Sequence, residues 1–232
     1  MAEPRARAVV ITGGSGALAP VIAATFVAAG YRAALLGRSP PPGAPAERRA
    51  DGLYAVGAGD LADPSAAEAA LACAVEVLHG CDVLVNVAGS FRWERIAGGS
   101  TATWETLYAS NLKTALNMSR AAIPRLAAGG RIVNIGAAAS AQAAAGMGAY
   151  AAAKSAVARL TESLAAELRD RHITVNAVLP NVIDTPRNRA DMPTADPSAW
   201  TSPAAIADVI LFLASPAARA ISGALLPVTR PA

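Results

Sequence analysis

The chain has 232 residues, 53% of them hydrophobic and 16% charged, and its 20 Lys and Arg exceed its 17 Asp and Glu for a formal charge of +3. That length and apolar share fit one domain with a substantial core. Arginines spread along the chain, without RGG tracts, aromatic stacking motifs or zinc-finger spacing, point away from nucleic acid and from a bound metal. Cys73 and Cys81 are two isolated cysteines that make no disulfide framework, and the start from Met1 to Thr12 lacks a signal-peptide core. No apolar run approaches the roughly 18 residues of a membrane span, so a cytoplasmic protein without membrane contact is expected.

Short β-branched runs recur between longer alanine-rich segments. Strands are predicted at 6–12, 32–37, 52–57, 82–87, 131–135, 173–178 and 224–228, and helices near 17–29, 64–79, 101–128, 148–170 and 203–214. Continuous apolar strands alternating with helices predict a doubly wound α/β domain, its seven parallel strands covered on both faces. Ligands of such sheets sit beyond the carboxyl ends of the strands. Two loops stand out, 40–49 after the second strand and 181–200 after the sixth. The second is long for a compact domain, and a substrate lid at about 184–201 is the expectation.

The first strand runs into TGGSGALAP, Thr12 to Pro20, and then a helix. Glycines here turn the chain tightly and bring backbone N–H groups and a helix N-terminus against a phosphate; a bland tight turn is the alternative. Pro20 is tolerated because first-turn N–H groups lack intrahelical partners. An NAD site places Asp or Glu near the end of the second strand to hold the ribose 2′-hydroxyl. Here that strand ends in Gly37 and Arg38 with no carboxylate. An arginine suits a 2′-phosphate and predicts NADP(H), unless Arg38 is only a solvated surface residue. Tyr150 and Lys154 then lie four residues apart, one turn apart on one helix face. A tyrosine beside a fixed positive charge is a candidate proton donor and acceptor.

Taken in order, these motifs resemble the short-chain dehydrogenase/reductase family over essentially the whole chain. TGGSGALA is similar to that family's TGxxxGxG, NVAG at 86–89 to its NNAG, and YAAAK at 150–154 to its YxxxK. LPNVIDTP at 179–186 stands where the family has the PGxxxT segment that holds the nicotinamide amide. The resemblance implies a single-domain Rossmann fold and an NADP(H)-dependent oxidoreductase of a small molecule. It also implies pairing of helices 101–128 and 148–170 across a two-fold axis into a homodimer or homotetramer. Thr12, Gly13, Ser15, Gly16, Ala17 and Leu18 would follow the dinucleotide together with Arg38. Asp60 and Leu61 would sit by the adenine, Asn86, Ala88 and Gly89 beside the next strand end, and Pro180, Ile183 and Thr185 near the nicotinamide. Tyr150 would give the proton, while Lys154 would lower its pKa from ~10 and grip the ribose. Asn111 would keep a water in a relay from Lys154; an exposed mid-helix asparagine is the alternative.

The departures are specific. Ala17 and Ala19 fill the second and third glycine slots, Asn181 replaces the glycine after Pro180, and the catalytic serine slot thirteen residues before the tyrosine holds Ala137. The GALAP turn, AGMGAYAAAK and DTPRNRADMPTADPSAW resemble dihydropteridine reductases and their bacterial relatives, which share the alanine and reduce a quinonoid pterin. A planar or already activated carbonyl or imine-like acceptor is therefore expected. An ordinary ketoreductase and a non-catalytic dinucleotide-binding partner are the alternatives. Trp93, Ala137, Met147 and Trp200, with Met192, would line a flat pocket, although large apolar side chains are more often core. Ser140 either reaches into the empty slot or decorates its loop. Thr185 and Asn188 would contact the cofactor and the lid.

Overall fold

Strands that are apolar on both faces need a helix layer on each side, and the alanine-rich segments supply it. A computed structural model describes residues 6–229. Its strands are β1 (Ala8–Thr12), β2 (Arg32–Gly37), β3 (Glu47–Arg48), β4 (Tyr54–Gly57), β5 (Cys81–Asn86), β6 (Leu126–Ile135), β7 (Thr174–Pro180) and β8 (Leu225–Val228). Its helices are α1 (Leu18–Ala28), α2 (Pro64–Leu78), α3 (Thr101–Tyr108), α4 (Thr114–Ala122), α5 (Gly148–Glu167), α6 (Pro186–Asp191) and α7 (Pro203–Ala214). They form one α/β domain around a single sheet of order β3-β4-β2-β1-β5-β6-β7-β8. Chain order reverses between β1 and β5, which opens a crevice at their carboxyl ends.

Alternation along each strand sorts the core into two layers. Val9, Ile11, Val83, Val85 and Val133 pack with Ile22, Phe26, Ile206 and Ile210 from α1 and α7. Val10, Leu84 and Ile132 pack on the other face with Leu71, Met118 and Leu164 from α2, α4 and α5. Phe26 is fully buried, and truncating such a side chain costs about 3–5 kcal/mol. Among the described residues no helix is long and apolar enough to cross a membrane.

Two expectations are corrected. The sheet has eight strands, not seven: Glu47 and Arg48 of the proline-rich 40–49 loop pair antiparallel with Ala55 and Tyr54 at the edge. Both β3 residues are exposed, so they carry no apolar pattern to read. The helix expected over 101–128 is three pieces, with a π turn at Ala109–Lys113 between α3 and α4, and it ends at Ala122. Pro124 blocks its continuation, and β6 begins at Leu126, five residues before the expected start.

Candidate active site

At the mouth of the crevice the chain is held by close backbone approach. The Thr12 hydroxyl accepts the N–H groups of Val87 and Ala88, both at 2.9 Å, fastening the first turn to the loop after β5. Gly13 has φ +84°, and a Cβ there would lie 2.9 Å from the Ala88 nitrogen. A Cβ on Gly14 would lie 2.9 Å from Leu35 Cγ and 3.1 Å from the Leu36 oxygen. No side chain fits at either position. Asp63 and Ser202 cap α2 and α7, but α1 has Ala17 at its N-cap position and no side-chain cap. Its first-turn N–H groups are therefore left for another acceptor, beside exposed Ser15, Gly16 and Ala17, while Leu18 turns into the core. Such a turn fits the phosphates of a dinucleotide.

Arg38 leaves β2 exposed, and its backbone and Nε nitrogens reach the Ser15 hydroxyl at 3.2 and 3.4 Å. The guanidinium is thus held at the same turn. Asp60 accepts the Ala62 N–H at 2.9 Å, and the buried Asn117 amide donates to the Leu61 and Ala62 oxygens at 3.1 and 3.0 Å. The proline-rich loop folds back onto β4, where a Cβ on Gly57 would lie 2.2 Å from the Pro41 oxygen.

Asn86 stands at the carboxyl end of β5. Its side chain is buried and donates to Asn134 Oδ1 at 2.8 Å and the Ser119 hydroxyl at 3.2 Å. Asn134 in turn donates to the Thr161 hydroxyl at 2.9 Å. Through Asn134 this chain of amides ties β5, β6, α4 and α5 together inside the sheet, with Asn86 Oδ1 buried and without a partner. Half-buried Ala88 and exposed Gly89 follow it at the crevice.

Tyr150, Lys154 and Asn111 are brought together. Lys154, 5% exposed, donates from Nζ to the Ile135 oxygen at 2.7 Å and stands 5.9 Å from the Tyr150 ring centre. Asn111 lies in the π turn, where such irregularities concentrate at functional sites. Its Nδ2 donates to the Ser90 and Leu107 oxygens at 3.0 and 2.9 Å, leaving Oδ1 buried with no partner. A Cβ on Gly89 would lie 2.6 Å from that Oδ1 and 3.6 Å from Lys154 Nζ. The orphaned oxygen and the ammonium thus border the same small space, which fits a bound water or ligand donor.

Burial pushes the Tyr150 phenol up to about 12 and pulls the Lys154 ammonium down to about 8. The lysine was expected to lower the tyrosine, but desolvation governs both groups. Tyr150 consequently holds its proton at neutral pH, as a donor requires.

Ala137 is buried two residues past the end of β6, and the Ser140 hydroxyl gives its hydrogen to the Ala137 oxygen at 2.7 Å. Ser140 therefore serves its own loop. Trp93 covers Gly146, where φ is +77° and a Cβ would lie 2.2 Å from the indole. The Glu94 N–H reaches the Gly146 oxygen at 2.8 Å, and Met147 follows at the start of α5. The 181–200 segment is closed at its base: Asp184 N–H reaches the Thr201 oxygen and Thr201 N–H the Val182 oxygen, both at 2.9 Å. Arg189 grips Asp184 through two contacts of 2.6 and 2.8 Å, and the Thr201 hydroxyl donates to Asn181 Oδ1. Thr185 caps α6 by accepting the Asn188 N–H at 3.1 Å, while the Asn188 amide donates to the Ile183 oxygen at 2.8 Å. Pro180 is buried at the end of β7 and Met192 closes α6. Trp200, 9% exposed, lines a cleft of about 440 Å³ at the base of this segment with Asp184, Arg189, Thr201 and Val228.

A family model described as short chain dehydrogenase matches residues 7–196. The chain belongs to that family. It is 31% identical over 179 residues to the 3-oxoacyl-acyl-carrier-protein reductase FabG of Vibrio cholerae, covering 73% of each chain. It is 33% identical to 2-(R)-hydroxypropyl-CoM dehydrogenase of Xanthobacter autotrophicus, covering 95% of this chain and 96% of that one. A blue fluorescent protein from a metagenomic library, solved in complex with NADPH, superposes with TM-score 0.82 at 29% identity, covering 96% of both chains. This short-chain dehydrogenase is accordingly an oxidoreductase with a fold that binds a nicotinamide dinucleotide.

One neighbour of the tyrosine escaped the sequence reading. Phe91 stands edge-on to the Tyr150 ring, centroids 5.0 Å apart at 87°, and is 52% exposed. Trp104 and Ile96 come within 3.5 Å of a Cβ placed on Gly148. With Trp93 they form an apolar collar around the turn before α5. The stretch FRWERI, 91–96, carried the signal as an aromatic-rich run directly after the NVAG turn.

Proposed function

We propose that this chain is an NADP(H)-dependent reductase of a planar or already activated carbonyl or imine-like acceptor, akin in motifs to dihydropteridine reductases. The observation that carries the reading is the single proton donor at the acceptor: Tyr150 keeps its hydrogen, Ala137 has none, and Ser140 spends its own on the Ala137 oxygen. A ketone accepting hydride builds charge on oxygen, and losing one of two donors to it costs about 10²–10³ in rate. A quinonoid or iminium-like acceptor builds little such charge and needs one donor only.

The dinucleotide supplies the hydride. Thr12 to Leu18 hold its phosphates, Arg38 its 2′-phosphate, and Asp60, Leu61 and Ala88 border the adenine side. Lys154 holds the ribose and the water that meets Asn111 Oδ1, and Tyr150 passes its phenol proton to the acceptor atom. Pro180, Ile183 and Thr185 flank the nicotinamide. The segment 184–201 serves as the lid. Phe91, Trp93 and Met147 form the pocket wall, and the exposed Trp104 and Tyr108 of α3 fit pairing with a second copy. An ordinary ketoreductase remains the competing reading, because the Vibrio cholerae relative is named as one.

The test is kcat/KM on a quinonoid dihydropterin and on a simple ketone, in the parent and in Ala137→Ser, with NADPH and NADH. The parent should prefer the activated acceptor and NADPH, and Ala137→Ser should raise only ketone turnover. Strong ketone activity that Ala137→Ser leaves unchanged overturns the reading.

A further inference from the structure

Between β4 and α2 the chain runs from Ala58 to Asp63 along the side of the crevice read as the adenine side. A buried amide on another element holds this stretch. Asn117 stands in the interior of α4, 6% exposed, with Met118 and Ala121 of the same helix in the apolar core. Asparagine is a poor helix former, and a buried amide is costly unless it is hydrogen-bonded. The bonds it makes therefore account for its place.

Those bonds reach two consecutive peptide groups. Asn117 Nδ2 donates to the Leu61 oxygen at 3.1 Å and to the Ala62 oxygen at 3.0 Å. Asp60 takes the opposite edges of the same two peptides. The Ala62 N–H reaches Asp60 Oδ1 at 2.9 Å, and the Asp63 N–H reaches the Asp60 backbone oxygen at 2.8 Å. A trans peptide is planar, with C=O and N–H on opposite edges, so both groups are clamped between Asn117 and Asp60. Asp60 itself stays exposed, while Leu61 and Ala62 are buried. The Leu61 side chain in the core sets the depth of the turn, but apolar contact is non-directional and leaves the peptides free to rotate. Two directional bonds from α4 remove that freedom.

We propose that Asn117 is a positioning residue for the dinucleotide: acting from α4 through the Leu61–Ala62 and Ala62–Asp63 peptides, it sets the Asp60 carboxylate against the adenosine half of the ligand. This role rests on the reading that Asp60 borders the adenine. An ionised carboxylate offers acceptors only, so its orientation decides which donor of the ligand it can meet.

A double-substitution cycle tests it, read by calorimetric titration of the full chain with adenosine 2′,5′-bisphosphate, the adenosine half of NADPH. Asp60→Ala should weaken binding about tenfold, the loss of a hydrogen bond to a charged group. Asn117→Leu, similar in volume but without the amide, should reproduce most of that loss. Added to Asp60→Ala it should cost nothing further, because the group it positions is already gone. An asparagine that only supports the fold would give losses that multiply, and that result overturns the proposal. So does parental affinity in Asn117→Leu beside a weakened Asp60→Ala. Asn117→Ser, smaller and still too short to reach both carbonyls, repeats the cycle if the leucine variant does not fold. Parental affinity in Asp60→Ala is the distinct outcome that removes the adenine reading itself, and the role of Asn117 with it.

Discussion

The two walls of the crevice are built by different physics. On the dinucleotide wall, backbone is the surface that is touched: Gly13 lies against Ala88, Gly14 against Leu36, and the Thr12 hydroxyl accepts from two backbone amides. On the acceptor wall, side chains make the contacts: Phe91 on Tyr150, Trp93 over the Gly146 backbone, and Arg189 on Asp184. Backbone contacts tolerate few residue types, whereas exposed side-chain contacts can be exchanged singly. The first wall is consequently rigid in chemistry, and the second is where a substrate preference can be changed without rebuilding the fold.

The seam between the walls should show the largest effect. Tyr150 has the Phe91 ring 5.0 Å and the Lys154 ammonium 5.9 Å from its ring centre. Tyr150→Phe should lower kcat about 10²–10⁴-fold, the usual worth of a positioned proton donor, with dinucleotide affinity near the parent value. Stopped-flow hydride transfer alongside a fluorescence titration of NADPH checks both halves. A variant with parental kcat would move the proton transfer to another group.

The walls themselves can be set against each other with one substitution on each. Gly13→Ala and Gly146→Ala both place a side chain at positive φ, a cost of about 1–3 kcal/mol by itself. They differ in what the new methyl meets. At Gly13 it meets the Ala88 backbone, which cannot swing away; at Gly146 it meets the Trp93 ring, 56% exposed and able to turn outward. Gly13→Ala should therefore lower stability further than Gly146→Ala and raise the dinucleotide Kd. Gly146→Ala should chiefly raise the KM for the acceptor. Urea unfolding and paired KM values read the contrast, and equal losses of dinucleotide affinity would erase it.

The same division explains what the sequence made legible. The parallel sheet, the first turn and the tyrosine–lysine pair were readable because each depends on local spacing: apolar runs, glycines where no Cβ fits, two residues one helical turn apart. The partners of Asn86, Ser119 and Asn134, are distant in sequence, and only the fold shows that the amide points inward. Phe91 and the packing of Trp93 on Gly146 are likewise long-range facts. The π turn left no mark in the helical pattern around Asn111. One composition cue did go unused: the chain has only two lysines, Lys113 and Lys154, in a background of arginine. Arginine does not give up its charge in proteins, whereas a buried lysine titrates within reach of neutral pH.

That titration yields the smallest effect and the sharpest sign. Lys154 is buried with one hydrogen-bond acceptor, so its folded pKa falls from 10.5 to about 8. Between those two values the unfolded chain binds more protons than the folded one, and stability must rise with pH across that window. Tyr150 is shifted the other way, from 10 to about 12, so its contribution is present at lower pH and is lost only above 10. From pH 7.5 to 9.5 the lysine alone should add on the order of 1–2 kcal/mol to the unfolding free energy. Lys154→Met fills similar volume without the charge. It should remove that rise and leave the protein as stable as the parent, or more so, at pH 7.5, since a buried charge held by one acceptor is a net cost. Reductase activity should be lost in the same variant, while in the parent it should fall above pH about 8 as the ammonium deprotonates. Urea titrations of parent and variant at both pH values settle the sign. A parent that loses stability between pH 7.5 and 9.5, or a variant that keeps the parent's rise, would mean that Lys154 is solvated and that the tyrosine faces water.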